Sequence, residues 1–390
     1  MSAISGATYL SDHALGQDES LLIRAARDFS RAELLERDRK WDHGQGDVTD
    51  VLPQLSEMGI LSLMTPEEVG GIGCSYRTYS AILQEIAYAS PSTAVTICVH
   101  NMVGLVVDRF ADPSLRRVWL EHWGDSENFG AFAISEANAG SDPGASLAKA
   151  KRDGDNFILS GEKMWITNGL SARWFVTLAR TLPGEGKAGL SLIMVDGNSK
   201  GIDRTPIHGK MGIRGSETAV IAFDSVVVPC SHLLGEDGAG LSASLTALDG
   251  GRIGIAAQAA GIAQACLDEM ISYAHEREQF GAPISGFPAI QQMIADSHVE
   301  LAAAKELIDF AAWSKDTKRQ DRSASSKAKL FATEAANRIA YRAVQLHGGM
   351  GYVNECRVEQ LFRDARVTTI YEGTSEIQRV VIARELLKSS

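Results

Sequence analysis

Hydrophobic and polar positions divide the chain into three regions with different periodicity. In residues 1–125 apolar side chains recur mostly at helical spacing, with charged residues on the opposite face. The segment ESLLIRAARDFSRAELLER places four of them on one face: Leu22, Ala25, Ala26 and Phe29. Residues 126–235 contain short β-branched and aromatic runs, such as RWFVTLAR and LSLIMVD, separated by Gly, Pro and Asp. These runs predict a small all-β unit.

Residues 236–390 return to helical periodicity. One stripe at i, i+4 and i+7 spacing is interrupted by a single serine: Ile290, Ile294, Ser297, Leu301, Ala304 and Ile308. The pattern therefore predicts an α+β fold with three domains. They are an N-terminal α-helical domain (1–125), a middle β domain (126–235) and a C-terminal helical bundle (236–390).

Glycines and prolines predict several local features. NFILSGEKMWITN (156–168) has two apolar runs around Ser-Gly-Glu, which is the pattern of a β-hairpin. TPEEVGGIG (65–73) is a predicted loop because it combines a proline with three glycines. Pro91 is expected near the start of a helix, where its missing N–H does no harm.

Composition and charge exclude several classes of function. The net charge of −11 and the pI near 5.4 argue against nucleic-acid binding, which normally leaves a basic footprint. The five cysteines are dispersed and form no CxxC pair, so we expect free thiols and no metal site. The first twenty residues lack a basic signal region, and no apolar run is long enough to span a bilayer. We therefore expect a cytoplasmic protein without membrane insertion.

Two polar loops in the β unit are candidates for ligand binding. AFAISEANAGSDPGA (131–145) joins a strand-like run to a Gly/Ser/Asn loop whose amides and hydroxyls could hold a phosphate or the edge of a flavin ring. MWITNG (164–169) places a Trp and a Thr two residues apart, on one face of a strand. Taken alone, the first segment is more readily explained as a surface turn and the second as the site of a core tryptophan.

Three C-terminal segments are further candidates. EREQFGAPI (276–284) ends a helix with a charged cluster, and QLHGGMGY (345–352) is a glycine-rich helix end that is not a GxGxxG fingerprint. His347 is interpreted as structural. In IYEGTSEIQR (370–379), Glu372 interrupts an apolar lead-in and precedes a glycine. By itself Glu372 is as readily a surface-loop residue as a catalytic base.

The joint order of these motifs carries more information than any one of them. ISEANAGSD, WITNG, ERxQFG, HGGMGY and YEGTSEIQR occur in the order and spacing of the acyl-CoA dehydrogenase flavoenzymes. TPEEVGGIG and MGIRGSET (211–218) resemble further marks of that family. The resemblance extends from about residue 18 to residue 388. It implies an N-terminal helical domain, a middle β-barrel or sandwich domain and a C-terminal four-helix bundle, usually in a homotetramer that binds FAD.

The resemblance also implies which residues contact FAD. Those lining the flavin or the thioester end of the substrate are Phe132, Ile134, Ser135 and Ser141, while Trp165 and Thr167 pack against the isoalloxazine. Those reaching the dinucleotide from an adjacent subunit are Arg277, Phe280, Gln345, Gly348 and Gly349. Thr374 and Glu376 lie on the diphosphate–ribose side.

The implied reaction is α,β-dehydrogenation of an acyl-CoA thioester, in which a carboxylate removes the α-proton and a hydride passes from the β-carbon to flavin N5. The family places its base either in the YEGT loop or on an earlier helix, just before an arginine. Here Gly251 precedes Arg252, so Glu372 is the expected base, flanked by Tyr371 and Gly373. Asp249 and Arg252 match positions near the substrate. Arg252 either orients Glu372 or forms a helix-surface salt bridge.

The acyl pocket is expected to be small and uncharged, because its floor in the family corresponds to Val95, Thr96 and Val99. No arginine or lysine lies between Tyr88 and His100, which disfavours glutaryl-CoA. Short- or medium-chain, branched and alicyclic acyl groups all stay open. Two departures from the family pattern concern the cofactor. Pro288 stands where glutamine is usual, and Gln360 stands where lysine or arginine is usual.

Three functions therefore compete. The first is a dehydrogenase that passes electrons to an electron-transfer flavoprotein. The second is an acyl-thioester oxidase, or a biosynthetic dehydrogenase that takes a carrier-protein thioester. The third belongs to another class, a non-catalytic acyl-CoA-binding homologue without flavin.

Overall fold

The structure, a computed structural model, describes residues 16–318 and 321–388 and begins with helices. The α-helices of this first region are α1 (Gln17–Phe29), α2 (Leu35–Asp42), α3 (Leu52–Glu57), α4 (Tyr76–Ala89), α5 (Pro91–Phe110) and α6 (Pro113–Leu120). The buried face of α1 differs slightly from the predicted one. Ile23 and Ala26 are buried, whereas Ala25 is exposed. The helix face that packs against α4 is therefore rotated by one residue from the predicted face.

Helix α5 forms one wall of a cleft between the helices and the sheet. Ser90 caps its first turn by accepting a hydrogen bond from the Thr93 amide at 3.0 Å, and Pro91 occupies the first turn as predicted. Its length and hydropathy are those of a membrane-spanning helix, but 78% of its most apolar window is buried inside the protein. The apolar side chains of α5 are thus covered by the chain itself.

The middle region is an eight-stranded sheet. Its strands are β1 (Gly130–Ala133), β2 (Lys149–Asp153), β3 (Asn156–Thr167), β4 (Trp174–Arg180), β5 (Leu190–Asp196), β6 (Ile202–Pro206), β7 (Thr218–Pro229) and β8 (Leu233–Leu234). They follow the order β6-β7-β3-β2-β4-β5-β8, with β1 paired in parallel to β4. Strand β1 also contacts helix α5, and the loop that follows β1 lies beside the helical region.

The hairpin predicted within residues 156–168 is wrong. Residues 156–167 form the single strand β3, which pairs with β7 on both sides of Gly161 through a register shift. Gly161 has φ of +144°, and a Cβ there would lie 2.7 Å from Ala148. The Ser-Gly-Glu segment is therefore a β-bulge, whose glycine permits close approach of a neighbouring strand, and not a turn.

The last region is helical again and confirms the predicted α+β order of helices, strands and helices. It contains α7 (Gly240–Glu276), a short pair β9 (Glu278–Gln279) and β10 (Ala282–Pro283), α8 (Pro288–Asp316), α9 (Ala324–His347), α10 (Arg357–Val367) and α11 (Ser375–Lys388). The predicted stripe of α8 points inward, with Ser297, Leu301, Ala304 and Ile308 all buried.

Apolar clusters tie the three regions together. One cluster joins α5 and α6 to the sheet strands β4 and β5, through residues such as Val103, Trp123 and Leu192. A second joins the first helices to α7 through Ile255 and Ala257. Because these clusters cross the regional boundaries, the surfaces where the regions meet are fixed relative to one another.

Candidate active site

A cleft of about 950 Å³, counted with its open mouth, lies where α5, α7, the loop after β1, strand β3 and the loop before α11 meet. Twelve of the predicted site residues line it: Val95, Val99, Phe132, Ile134, Ser135, Ser141, Trp165, Thr167, Arg252, Tyr371, Glu372 and Gly373. The fold thus collects side chains from all three regions around one space.

Glu372 is held in an unusual backbone conformation. Its φ is +54°, in the left-handed region that non-glycine residues rarely adopt. Gln378, in the first turn of α11, donates hydrogen bonds to the carbonyl oxygens of Glu372 (3.2 Å) and Gly373 (2.9 Å). Lys329 of α9 donates to the same Gly373 oxygen at 2.6 Å. These bonds stabilise a strained loop, and strain of this kind is common at functional sites.

The carboxylate of Glu372 is largely removed from water. Its Oε2 atom is buried and has no hydrogen-bond partner within residues 16–318 and 321–388. Burial raises the pKa of Glu372 to about 7, against the lowering effect of the positive charges on Arg252 and Lys329. A glutamate with this pKa is a stronger base than an exposed one and is still partly ionised near neutral pH.

Gly251 lies directly against this carboxylate. A Cβ at Gly251 would be 2.8 Å from Glu372 Oε2 and 2.9 Å from Met102 Sδ. A side chain at position 251 would thus occupy the same space as the Glu372 side chain, although the two positions are far apart in the chain. The two alternative base positions considered from the sequence are therefore adjacent in the structure, and only Glu372 carries a carboxyl group.

Arg252 forms the helix salt bridge considered for it, with Asp249, but the arginine is buried with 7% of its surface exposed and does not lie on the helix surface. Its Nη1 donates to Ser326 at 3.2 Å and lies 3.6 Å from Asp249. Nearby, the Tyr371 hydroxyl donates to Gln258. Arg252 therefore faces the cleft as a buried cation near Glu372.

Trp165 forms part of the opposite wall. The β3–β7 register shifts again between Lys163 and Ile166, and Trp165 has φ of +64°, so its indole leaves the sheet and is 58% exposed. Thr167 and Ser141 contribute hydroxyls to the same cleft. An exposed aromatic plane beside hydroxyl groups fits a flat cofactor ring such as that of FAD.

A buried ion pair fixes the loop that follows β1. The ammonium of Lys163 lies 2.7 Å from Glu136 and also donates to Ser146 (2.9 Å) and to the Ile134 carbonyl oxygen (3.0 Å). Both charged side chains are almost fully buried. The pair therefore positions the backbone of Ile134 and Ser135, which line the cleft.

Thr96 and Asp249 do not reach the cleft as predicted. Thr96 is buried and shares a hydrogen bond of 2.9 Å with Ser216, because it lies on a different side of α5 from Val95 and Val99. Asp249 binds Lys315 and Ser325 instead. Thr374 and Glu376 line a separate polar pocket of about 650 Å³, counted with its open side, together with Arg366 and Thr369.

The remaining predicted cofactor residues lie at one end of the helical bundle, away from the cleft. They are Arg277, Phe280, Gln345, Gly348 and Gly349, and all of them are exposed. Tyr273 and His347 join this end of α7 to that of α9 by ring stacking at 4.2 Å. His347 also donates to the Ala343 carbonyl oxygen at 2.8 Å, which gives it the structural place expected from the sequence.

The two departures from the family pattern occupy structural positions. Gln360 is buried and its amide binds Asp38 at 2.7 Å and Arg39 at 2.9 Å, so it links α10 to α2. Pro288 is the first residue of α8, where proline is favourable.

Sequence reasoning missed several residues at or beside the cleft. Leu245 and Leu248 line it together with Arg252, and their i, i+3, i+7 spacing on α7 is a signal that could have identified them. Lys329 also carried a signal, since it falls on the buried alanine stripe of α9 between Ser325 and Ala332, where a charge is unexpected.

Three protein-family models match successive parts of the chain. They describe the acyl-CoA dehydrogenase N-terminal domain (residues 16–127), middle domain (131–226) and C-terminal domain (238–387).

Two relatives match over most of their length. The chain is 40% identical over 376 residues to the mitochondrial short-chain specific acyl-CoA dehydrogenase of Mus musculus, covering 96% of this chain and 91% of the relative. It is 39% identical to the probable acyl-CoA dehydrogenase YngJ of Bacillus subtilis, covering 96% and 99%.

Solved structures are similar as well. The butyryl-CoA dehydrogenase of Megasphaera elsdenii has a TM-score of 0.93 and 31% identity, and a chain from work on the electron transferring flavoprotein of Acidaminococcus fermentans has 0.94 and 33%. Each match covers 96% of this chain and 99% of the other. The prolyl acyl carrier protein oxidase AnaB has a TM-score of 0.91 and 28% identity, covering 96% and 100%.

Proposed function

The chain belongs to the acyl-CoA dehydrogenase family, and from that premise we propose that it oxidises an acyl-CoA thioester to the trans-2-enoyl-CoA with Glu372 as the base. As a member of the family it is an FAD-dependent oxidoreductase that acts on acyl-CoA. The observation that carries the base assignment is the buried Oε2 of Glu372 in the cleft, which has no hydrogen-bond partner among the residues that the structure describes.

Glu372 is suited to removing the α-proton. A proton next to a thioester is far less acidic than a carboxylic acid with an ordinary pKa of about 4.3. Burial raises the pKa of Glu372 to about 7, which narrows this gap. The positive charges of Arg252 and Lys329 oppose the rise, so part of the population keeps the ionised form that accepts the proton. Hydrogen bonds to the thioester oxygen then stabilise the developing enolate.

The cofactor is proposed to lie against Trp165, Thr167 and Ser141, with its diphosphate side near Thr374 and Glu376. When bound, FAD accepts the hydride that leaves the β-carbon of the substrate. The chain contributes the aromatic wall and the hydroxyls, and it shields Oε2 of Glu372 from water.

We propose a short, uncharged acyl group as the substrate. Val95, Val99, Met102 and Leu248 give the acyl side an apolar lining, and the lining residues contributed by α5 carry no charge to pair with a second carboxylate. Relatives named for short-chain and butyryl substrates support the same choice. Glutaryl-CoA is disfavoured on this basis.

We also propose a homotetramer that delivers electrons to an electron-transfer flavoprotein. Large apolar side chains at the bundle end and on α11 are exposed, including Phe280 (96%), Tyr352 (84%) and Leu387 (75%). Surfaces of this kind favour contact with further subunits, which would carry Arg277 and Phe280 toward a neighbouring cofactor. The matching chain from work on an electron transferring flavoprotein supports the choice of acceptor.

A second candidate is an oxidase or a dehydrogenase that takes a carrier-protein thioester. The similarity to the prolyl acyl carrier protein oxidase AnaB favours it over unrelated activities. Hydrogen peroxide formation in air, or turnover of a carrier-protein thioester in preference to the CoA thioester, would establish this reading.

The test is anaerobic bleaching of the flavin by a panel of straight, branched, cyclic and dicarboxylic acyl-CoAs. We expect butyryl-CoA to bleach the flavin fastest and glutaryl-CoA slowest. Glu372→Gln keeps the side-chain shape but has no ionisable carboxylate, so it should retain FAD and bleach about 100- to 10,000-fold more slowly. Glu355→Gln, at an exposed position, serves as the control and should behave as wild type. A Glu372→Gln protein that bleaches at the wild-type rate would overturn the base assignment, and a colourless wild-type protein would favour a non-catalytic homologue.

A further inference from the structure

Lys329 is a buried lysine. In the proposed reaction it acts only through its positive charge. Its side chain is 0% exposed in α9, and within residues 16–318 and 321–388 no carboxylate lies within 4 Å of its ammonium. Its hydrogen-bond acceptor is the Gly373 carbonyl oxygen at 2.6 Å. A buried ammonium without a carboxylate partner is unfavourable for folding, so a role in the site would explain its presence.

The position of this hydrogen bond matters because Gly373 directly follows Glu372. Glu372 has φ of +54°, a conformation that costs about 1–3 kcal/mol unless the surroundings stabilise it. Two side chains from different helices hold the adjoining carbonyl oxygen, Lys329 from α9 and Gln378 from α11. Of these two, only Lys329 carries a charge.

Every titratable or charged group that acts on Glu372 can be assigned to an element. Helix α5 contributes Cys98, whose pKa burial raises to about 12, and the loop itself contributes Tyr371, whose pKa burial raises well above its ordinary value. Both are therefore neutral near pH 7. The positive charges are Arg252 from α7 and Lys329 from α9.

The two positive charges are not equivalent. Arg252 shares its charge with Asp249 at 3.6 Å, whereas Lys329 forms no such pair in the part of the chain described. Burial lowers the pKa of Lys329 to about 8 against the raising effect of Glu372, so the ammonium is still protonated at neutral pH. Lys329 therefore places a positive charge beside the Glu372 loop, in addition to the larger effect of Arg252 on Glu372. The carboxylates of Glu334 and Glu376 also act on this charge.

We propose that Lys329 is a positioning residue for the base: it holds the Glu372 loop through Gly373 and supplies the counter-charge that keeps the Glu372 carboxylate ionised near neutral pH. This inference rests on the proposed function, because it gives Lys329 a role toward the proposed base. If it is correct, the reaction rate depends on a residue of α9 that contacts neither the cleft nor the substrate.

The experiment measures anaerobic flavin bleaching by butyryl-CoA between pH 5.5 and 9, with the rate normalised to bound flavin. The α-deuterated substrate is run in parallel, so that an isotope effect identifies proton removal as the observed step. Lys329→Gln and Lys329→Met remove the charge in two different shapes, and Lys329→Arg keeps it. Lys327→Gln is the matched control, since Lys327 lies on the same helix, is partly exposed and pairs with Asp321.

Loss of the charge should raise the pH at which the base becomes active. In the pH profile of the bleaching rate, we expect the rise on the acidic side to shift to higher pH by about one unit or more in Lys329→Gln and Lys329→Met. At any pH below this rise (the acidic limb), the reaction should therefore be about tenfold slower than in the wild type. Lys329→Arg and Lys327→Gln should keep the wild-type limb. Normalisation to bound flavin lets partly unfolded preparations report the same quantity.

Two results would overturn the inference while leaving the proposed function intact. In the first, Lys329→Gln or Lys329→Met keeps the wild-type acidic limb of the pH profile and differs only by a lower melting temperature. That is the behaviour of a merely structural lysine. The other is the same limb shift in Lys329→Arg, because charge would then not be the cause. Failure of the wild-type holoenzyme to bleach with any acyl-CoA would instead reject the proposed function itself.

Discussion

Gly251→Ala tests how tightly the surroundings constrain the Glu372 carboxylate. The added Cβ would lie 2.8 Å from Glu372 Oε2 and 2.9 Å from Met102 Sδ, whereas ordinary contact begins at 3.4 Å. Met102 has a flexible side chain and can move aside. The carboxylate belongs to a left-handed loop held by Lys329 and Gln378, so it must shift by at least about 0.6 Å relative to its present position.

The expected effect on stability is small, and the effect on the reaction is larger. Replacing a glycine inside a helix by alanine stabilises by about 0.5–1 kcal/mol, whereas overpacking costs about 1–3 kcal/mol. The net loss is therefore about 0–2.5 kcal/mol. Displacement of a reacting group by about 1 Å can slow a reaction about 100-fold, so a shift of this size should slow bleaching about 10- to 100-fold.

Gly250→Ala is the matched control for this prediction. It lies on the same helix, gains the same helix propensity, and its Cβ would lie 2.8 Å from the Tyr76 hydroxyl and not from Glu372. Anaerobic bleaching rates and thermal unfolding of both variants, each with its FAD content measured, complete the assay. Bleaching at the wild-type rate by Gly251→Ala, or an equal loss in Gly250→Ala, would refute the constrained position of the carboxylate.

Two further predictions concern charge. Since burial raises the pKa of Glu372 to about 7 and only the ionised form accepts a proton, the bleaching rate should rise with pH through about 7 and then level off; a rate that is flat between pH 5 and 8 would argue against Glu372 as the base. Lys163→Met removes one partner of the buried Glu136 pair and should lower the free energy of unfolding by about 3–5 kcal/mol in denaturant titrations. Lys187→Met, which breaks the exposed pair with Asp142, should leave the free energy of unfolding almost unchanged, and equal losses in the two variants would contradict this reasoning.

Local patterns in the sequence predicted most of the helices and strands. Helical periodicity identified the inward stripe of α8, and β-branched runs identified β4 and β5, because both patterns record which side chains face a neighbouring layer. The same reasoning failed at Gly161. A glycine between two apolar runs is typical of a turn and of a β-bulge alike, and the pairing of both runs with β7 selected the bulge.

Side-chain direction within an element was harder to predict. Val95, Thr96 and Val99 were predicted together as the pocket floor, yet only the two valines line the cleft. Thr96 is directed to Ser216 because consecutive helix positions point about 100° apart. Asp249 is likewise drawn to Lys315 and Ser325, neighbours that come from distant parts of the chain.

The sequence by itself determined the three regions, the order of the motifs and the identity of the one carboxylate in the YEGT loop, since each of these is recorded in neighbouring residues. Only the tertiary structure decided that Gly251 leaves room for Glu372, that Oε2 is buried, and that Lys329 reaches the next carbonyl oxygen. Burial and electrostatic interaction are sums over groups that are close in space and remote in sequence. A local pattern can therefore identify a candidate base, while its pKa and its position depend on the folded chain.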